Sequence, residues 1–393
     1  MKTIVLFDGQ CHKSLLPLTF TRPVAQLRVG IFTIHEKWSR FFDQDVNVRT
    51  KDYLADKFNS FENEADLGVL GGLLPDDDLV SVIESLNPNT ILMKDGNVLA
   101  ISPLPKNDDS MESSLSNYAV VEYDSSVSIV FRPQDIFLKN GDEILKDYSW
   151  IKKNKKSIKC QESNTVFGDD LFIEEGASIR GCIINSEQGP VYIGKNAQVM
   201  EGSVIRGPFA LLDYSIVKIG AKIYGPTTFG PHCKVGGEIG NSVIQGYSNK
   251  AHDGYLGNSV IGEWCNLGAD TNTSNLKNNY SFVKNWDYST ESMQNTGTQY
   301  CGLIMGDHSK CGINTMFNTG TVVGVSANIF GGGFPPKFIP SYSWGGSEGF
   351  VDYELEKAIE LADVVMKRRE VEFSQADKEI LEYVFKSTAV YRN

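Results

Sequence analysis

Long apolar runs are missing from this 393-residue chain. Nothing approaches the roughly 18 consecutive apolar residues of a membrane helix. The opening MKTIVLFDGQ holds one short apolar run that closes on Asp8, too short for a secretory h-region and suited to a first β-strand. An excess of positive charge is missing too. Against 49 Asp and Glu stand 37 Lys and Arg, a net charge of −12, which argues against nucleic acid as the main partner because phosphate neutralisation needs clustered cations. No CxxC pair occurs, and the seven cysteines (Cys11, Cys160, Cys182, Cys233, Cys265, Cys301, Cys311) are scattered and odd in number. They read as reduced thiols, with a cytoplasmic location as the expectation. Histidine is scarce, at five residues. The remainder, 41 % hydrophobic and 22 % charged, is ordinary for a globular protein long enough for two domains and an appended third element.

What is present is a period of six. Stepping from Ile193 gives Val199, Ile205, Leu211, Val217, Ile223, Phe229 and Val235, all apolar; at the chain's composition, eight such hits by chance have odds on the order of one in a thousand. Shorter runs keep the step: Phe167, Ile173, Ile179; Tyr255, Ile261, Leu267; and Met305, Cys311, Phe317, Val323, Ile329. One inward apolar side chain per six residues, with glycines soon after, predicts a parallel β-helix. Each hexapeptide is then a short strand and a turn, and three make a coil. Excursions are expected at 180–190 and 270–303, the second polar and rich in Asn, Thr and Ser. The region resembles the left-handed β-helix of hexapeptide-repeat acyltransferases, and left-handedness is what that resemblance implies.

The flanks differ. TIVLFD, LGVLGG, NTILMKDG and NYAVVEYD are strand-like runs of a Rossmann-like α/β layer. The boundaries expected are 1–155 for this domain, 160–345 for the β-helix and 346–393 for a helical extension. KKNKK (Lys152 to Lys156) reads as a solvated linker. Leu355, Ile359, Ala362 and Met366 predict one helix; Ser374 with Asp377 predicts the capped start of a second, with Ile380, Leu381 and Val384 on its apolar face.

LLPLTFTRP at 15–23 resembles the N-terminal signature of sugar-1-phosphate nucleotidyltransferases, and PQDIFLKN (Pro133 to Asn140) resembles the segment that closes their domain. In that family a glycine-rich loop brings backbone N–H groups to a triphosphate while cations and Mg²⁺ balance charge. Aligned on Pro17-Leu18-Thr19, the family's Arg becomes Ser14 and its Lys becomes Val24. Lys13, Arg22 and Arg28 are the candidate nucleotide-binding cations, and Asp8 and Asp135 the candidate metal ligands.

The stretch NKAHDGYLGNSVIGEWCNLGADTNTSNL (Asn249 to Leu276), with Val283-Lys284 and GLIMGDHSKCGINTMFNTGTVVG (Gly302 to Gly324), resembles the acetyltransferase half of GlmU-type bifunctional enzymes, the archaeal-type branch most nearly. The resemblance implies His252 as general base, Tyr255, Asn266, Asn275 and Lys284 as substrate contacts, Ala269 beside the acetyl group, acetyl-CoA as co-substrate and a homotrimer. An unperturbed imidazole, with a pKa of ~6.5, is neutral at pH 7 and can accept the proton of an attacking amine. Tyr255 also falls on the six-residue phase, so an inward core position is its other reading. Three functions follow: acetyl transfer to an amino-sugar 1-phosphate; nucleotidyl transfer from UTP or dTTP with the β-helix as a trimerisation scaffold; or an inactive regulatory homologue. A zinc hydratase would need His232, His252 and His308 brought together, and His232 and His308 read instead as corner residues of their rungs.

Overall fold

The computed structural model describes residues 2–106 and 111–392. They form two compact units, one of Met1–Leu15, Thr21–Leu27 and Phe32–Arg132, the other of Leu16–Phe20, Arg28–Ile31 and Pro133–Asn393. The fold class is the expected one: an α/β domain, then a parallel β-helix of about ten turns, then C-terminal helices.

The first unit is built on a mixed six-stranded sheet. Ile4–Phe7 runs parallel to Asn47–Arg49 on one side and Leu67–Leu70 on the other. Its side chains are buried through Leu6, as a continuous apolar run at the centre of a parallel set should be. All four strand-like runs are strands, at Ile4–Phe7, Leu67–Leu70, Thr90–Lys94 and Ala119–Glu122. Asn47–Arg49 and Asn97–Ser102 complete the sheet; a three-residue strand ending in arginine carries no readable alternation.

In the second unit, nine strands from Leu171–Ile173 to Phe338–Ile339 stack in parallel on one face of a prism. A second face runs from Ser178–Ile179 to Ser343–Gly346, and a third from Thr165–Phe167 to Tyr255–Gly257, continued by Asn272–Thr273 and Met316–Phe317. Each rung donates backbone hydrogen bonds to the next, so the polar main chain is satisfied along the axis and the side chains need not be. All eight positions of the run from Ile193 to Val235 are at most 1 % exposed and belong to one core.

Several expectations are corrected. Phe167 is 46 % exposed, because Val166 takes the inward register of that strand, opposite the inward Ile184, while Phe167 pairs with Asn185. Tyr255 is not the inward residue of its strand. Leu256 is, paired with the inward Ile239, because the step from it to the inward Ile261 is five residues instead of six; the steps from Val235 to Ile239 and on to Ile244 are shortened too, to four and five. The excursion at 180–190 still contributes a rung strand, Ile183–Asn185 with Ile184 inward. KKNKK is not a free linker: a helix runs through Pro133–Asn154, and Lys152 and Lys155 pair with Asp170 and Glu174 at 2.9 and 2.6 Å.

The longer excursion carries an antiparallel hairpin, Lys284–Asp287 with Ser292–Asn295. Its Trp286 stacks on Phe338 at 4.2 Å between ring centroids. The C-terminal helices are Leu355–Lys367 and Gln375–Ser387, the latter opened by the expected capping box of Ser374 and Asp377.

Phe229 is fully buried at the centre of the prism, edge-on to Phe209 at 5.5 Å. Phe229→Ala should therefore cost about 3–5 kcal/mol, read as a lower denaturation midpoint; Phe167→Ala, at the exposed end, should change it by less than about 1 kcal/mol.

Candidate functional site

Two edges of the prism matter. At the edge between the first and second faces, Tyr214, His232, Tyr247, Trp264 and His308 occupy successive rungs, each with positive φ. Their rings stack at 4.9, 4.8, 4.3 and 6.3 Å. His232 and His308 are thus corner residues of an aromatic ladder, each contact contributing about 0.5–1.5 kcal/mol beyond burial. His252 lies at a different edge, between Asn249–Lys250 on the second face and Tyr255–Gly257 on the third. The three histidines do not converge, and among the described residues no group of three or more His, Cys, Asp or Glu is gathered for a metal ion.

The His252 turn is exposed. Asn249 pairs in register with Asn266 of the following rung, their side chains in contact at 3.4 Å. Asp270 donates its backbone N–H to the Asp253 carbonyl at 3.0 Å. Asn272 accepts the Tyr255 N–H on its Oδ1 at 2.8 Å. His252 and Ala269 therefore stand in the same turn of consecutive rungs. Tyr255 points outward, half-buried, and its hydroxyl accepts from Asn275 Nδ2 at 3.0 Å. That amide also donates to Asn258 Oδ1 at 2.8 Å. Burial pushes the Tyr255 phenol above its ordinary pKa, so it stays protonated and can donate.

The structure therefore brings His252, Tyr255, Asn266, Ala269 and Asn275 onto two adjoining rungs. Lys284 is exposed at the start of the inserted hairpin. Sequence reasoning missed Lys250, Asn258 and Asn272. Asn272 sits six residues after Asn266, so the repeat could have found it. Lys250 was hidden by the shortened steps.

Glycine matters twice at this turn. Gly254 has φ +114°, and a Cβ there would lie 2.2 Å from the Thr271 carbonyl oxygen. Gly237, one rung earlier, has φ +78°, and its Cβ would come within 2.9 Å of the His252 carbonyl oxygen. Only a residue without a side chain fits either position.

In the first unit a pocket of about 280 Å³ opens where the parallel strands Ile4–Phe7 and Asn47–Arg49 end, lined by Phe7, Asp8, Gly9, Arg49, Thr50, Lys51, Ile101 and Leu104. Carboxyl ends of parallel strands are where open α/β sheets take ligands. Asp8 is buried, accepting from the Val24 N–H at 2.8 Å and the Thr50 hydroxyl at 2.6 Å. Arg49 is spent on backbone, donating to the carbonyls of Phe61, Asn63 and Pro105.

Of the other candidates, Lys13 is exposed at the end of the Cys11–Ser14 helix and Arg22 is buried. Arg28 belongs to the second unit, where its backbone exchanges hydrogen bonds with Gln245 and its guanidinium donates to the Ile31 carbonyl. Asp135 lies in the first turn of the Pro133–Asn154 helix, also in the second unit. With both Asp8 oxygens engaged and, among the described residues, no acidic group gathered for a metal ion, Asp8 and Asp135 do not fit a protein-held Mg²⁺.

Burial raises the Asp8 pKa from 3.8 to about 6 against the opposing hydrogen bonds of Thr50 and Val24 and the charge of Lys51. Between pH 4 and 6 the folded chain thus keeps a proton that the unfolded chain has released, and stability falls as pH rises through that window. Asp8→Asn, which mimics the protonated acid, should raise stability at pH 7.5 by up to about 3 kcal/mol. The gain should vanish near pH 4 in thermal melts.

Residues 4–156 match the family described as sugar nucleotidyl transferase. The chain is 26 % identical to the bifunctional protein GlmU of Methanocaldococcus jannaschii over 348 residues, covering 79 % of this chain and 75 % of that one. It is 28 % identical to the bifunctional protein GlmU of Synechococcus elongatus over 183 residues, 44 % of this chain and 36 % of that one. It is 25 % identical to the uncharacterized acetyltransferase YaiX of Escherichia coli O6:K15:H31 over 179 residues, 45 % of this chain and 72 % of that one. The chain therefore spans three quarters of the archaeal relative and about a third of the cyanobacterial one. With a nucleotidyltransferase-type match over 4–156 leading into a β-helix whose His252 turn and Ala269 turn adjoin, the chain is similar to GlmU-type bifunctional proteins in its order of domains.

Proposed function

We propose that the second unit transfers an acetyl group from acetyl-CoA to the amine of an amino-sugar 1-phosphate. The observation that carries this reading is the exposed His252 turn stacked directly on the turn of Ala269, with Tyr255 and Asn275 joined by a hydrogen bond beside it. The sugar nitrogen attacks the thioester carbonyl, His252 takes the proton that nitrogen loses, and the CoA thiolate leaves. Tyr255 and Asn266 are placed to hydrogen-bond the sugar phosphate or the oxyanion. Lys284 meets the phosphate as a point charge, and the small Ala269 leaves room for the acetyl group. The donor lies in a groove between neighbouring β-helices of a homotrimer. The setting is synthesis of a nucleotide sugar in the cytoplasm.

A second reading has its own support. The pocket at the end of Ile4–Phe7 and the family match over 4–156 favour nucleotide binding by the first unit, with UTP or dTTP as the donor. Lys13, exposed in this unit, would serve as the cation for the nucleotide. Mg²⁺, if used, would be held chiefly by the nucleotide's own phosphates.

Purified protein given acetyl-CoA and glucosamine 1-phosphate should release CoA, and His252→Ala should lower kcat by about 10²–10⁴-fold with the fold intact. Release of pyrophosphate from UTP or dTTP with a sugar 1-phosphate, with no thioester use, would support the second reading instead. Neither reaction across a panel of sugar phosphates would mark an inactive homologue.

A further inference from the structure

Along the second face the inward side chains run Ile179, Val199, Val217, Val235, then Lys250, then Leu267, Cys311 and Ile329. A lysine occupies the apolar column of a β-helix at one rung, and it is the rung of His252. Lys250 is 1 % exposed. A buried ammonium without partners would be expelled or deprotonated, so its partners say what it does. Nζ donates to the carbonyl oxygen of His252 at 2.5 Å and to that of Asp253 at 2.9 Å. These are the carbonyls of two successive peptides, His252–Asp253 and Asp253–Gly254, both held by a side chain of the inward column.

The regular corner does not need such help. At the same edge, Asp270 and Asn314 of the following rungs take a left-handed conformation, with φ +56° and +58°. Their N–H groups close the corner onto the previous rung, on Asp253 and Ala269. The His252 turn departs from this pattern: its positive φ falls one residue later in the rung, at Gly254, with φ +114°. The departure turns the His252 carbonyl toward the interior, where a backbone oxygen needs a donor. The interior is locally polar as well. Thr273 lies inward one rung on with its hydroxyl buried and unpartnered, and Thr271 contacts Cys311 at 3.4 Å.

We propose that Lys250 is the positioning residue of the His252 turn, its enclosed ammonium clamping the carbonyls of His252 and Asp253 and so setting the direction in which the imidazole leaves the corner. This rests on His252 being the general base of the proposed acetyl transfer. Burial lowers the Lys250 pKa to about 8, against Asp253, Cys311 and Asp270, which favour its charged form. The clamp is therefore predominantly cationic at neutral pH and makes the stronger, charge-assisted type of hydrogen bond. A rung that needed only filling would carry leucine or valine, as its neighbours do. The cost of placing a cation there is matched by control of two successive peptides.

The test uses Lys250→Met, which fills the column but cannot donate, and Lys250→Gln, which keeps an uncharged N–H donor one atom shorter. In Lys250→Met, kcat for CoA release should fall about 10–100-fold while KM for the sugar phosphate stays within about threefold, because a misplaced base harms the transition state more than substrate binding. Lys250→Gln should recover part of kcat. Amide hydrogen exchange, which needs no activity, should accelerate at least tenfold in Lys250→Met over 251–255 and not in the rungs of Val217 or Val235. Full kcat in folded Lys250→Met, or unchanged exchange at the turn, would overturn the assignment. If both variants unfold, Lys250 serves the rung as a whole and the assignment also fails. If the wild-type chain shows no acetyl transfer yet Lys250→Met loosens only this turn, the acetyltransferase reading fails while the clamp stands.

Discussion

The second unit depends on keeping the inside of a narrow prism dry. Each rung presents one inward side chain per face, and there is no second layer behind it. Backbone hydrogen bonds run between rungs, so every main-chain group on a face is satisfied along the axis and an inward position has only side chains to meet. An apolar residue such as Ile205 or Val217 therefore contributes twice, by leaving water and by packing on its neighbours one rung up and down. This constraint makes the period visible, and it also makes any exception informative.

The exceptions gather in one place. From Val235 onward the steps shorten, the positive φ of the corner moves one residue later, to Gly254, a lysine enters the column and a polar excursion is inserted after Thr273. Local rules that hold from Ile193 to Val235 fail around His252, and departures of this kind are expected where a protein gives up regularity for a site. The stiff coil carries the cost. Stacked rungs on both sides, the Trp286–Phe338 pair and the aromatic ladder on another edge hold the irregular turn between regular neighbours.

The first unit follows a different logic. Its central strands, Ile4–Phe7 and Leu67–Leu70, are largely buried, and polar groups at the ends of Ile4–Phe7 and Asn47–Arg49 line the pocket. Asp8 spends both oxygens on the chain itself, and Arg49 spends its guanidinium on three carbonyls. The groups that a motif would offer to a nucleotide are here partly absorbed into holding the loops. This fits the altered LLPLTFTRP signature, in which Ser14 and Val24 stand where the family has cations.

The sequence alone determined the β-helix, because an inward position every six residues is a one-dimensional signal that needs no partner from elsewhere in the chain. It also determined four of the six strands of the first unit's main sheet, the capped C-terminal helix and the placing of His232 and His308 at corners. It pointed to His252, Asn266 and Ala269 through the resemblance of Asn249 to Leu276 to the acetyltransferase half of GlmU-type enzymes, not through the six-residue period. Only the tertiary structure decided that Tyr255 faces outward while Leu256 faces in, that Arg28 and Asp135 belong with the second unit, and that Lys250 lies in the core. These depend on how many residues each turn consumes. A change of one residue exchanges the inside and outside of a strand, and a turn's length is set by the rungs it must join rather than by its own residues.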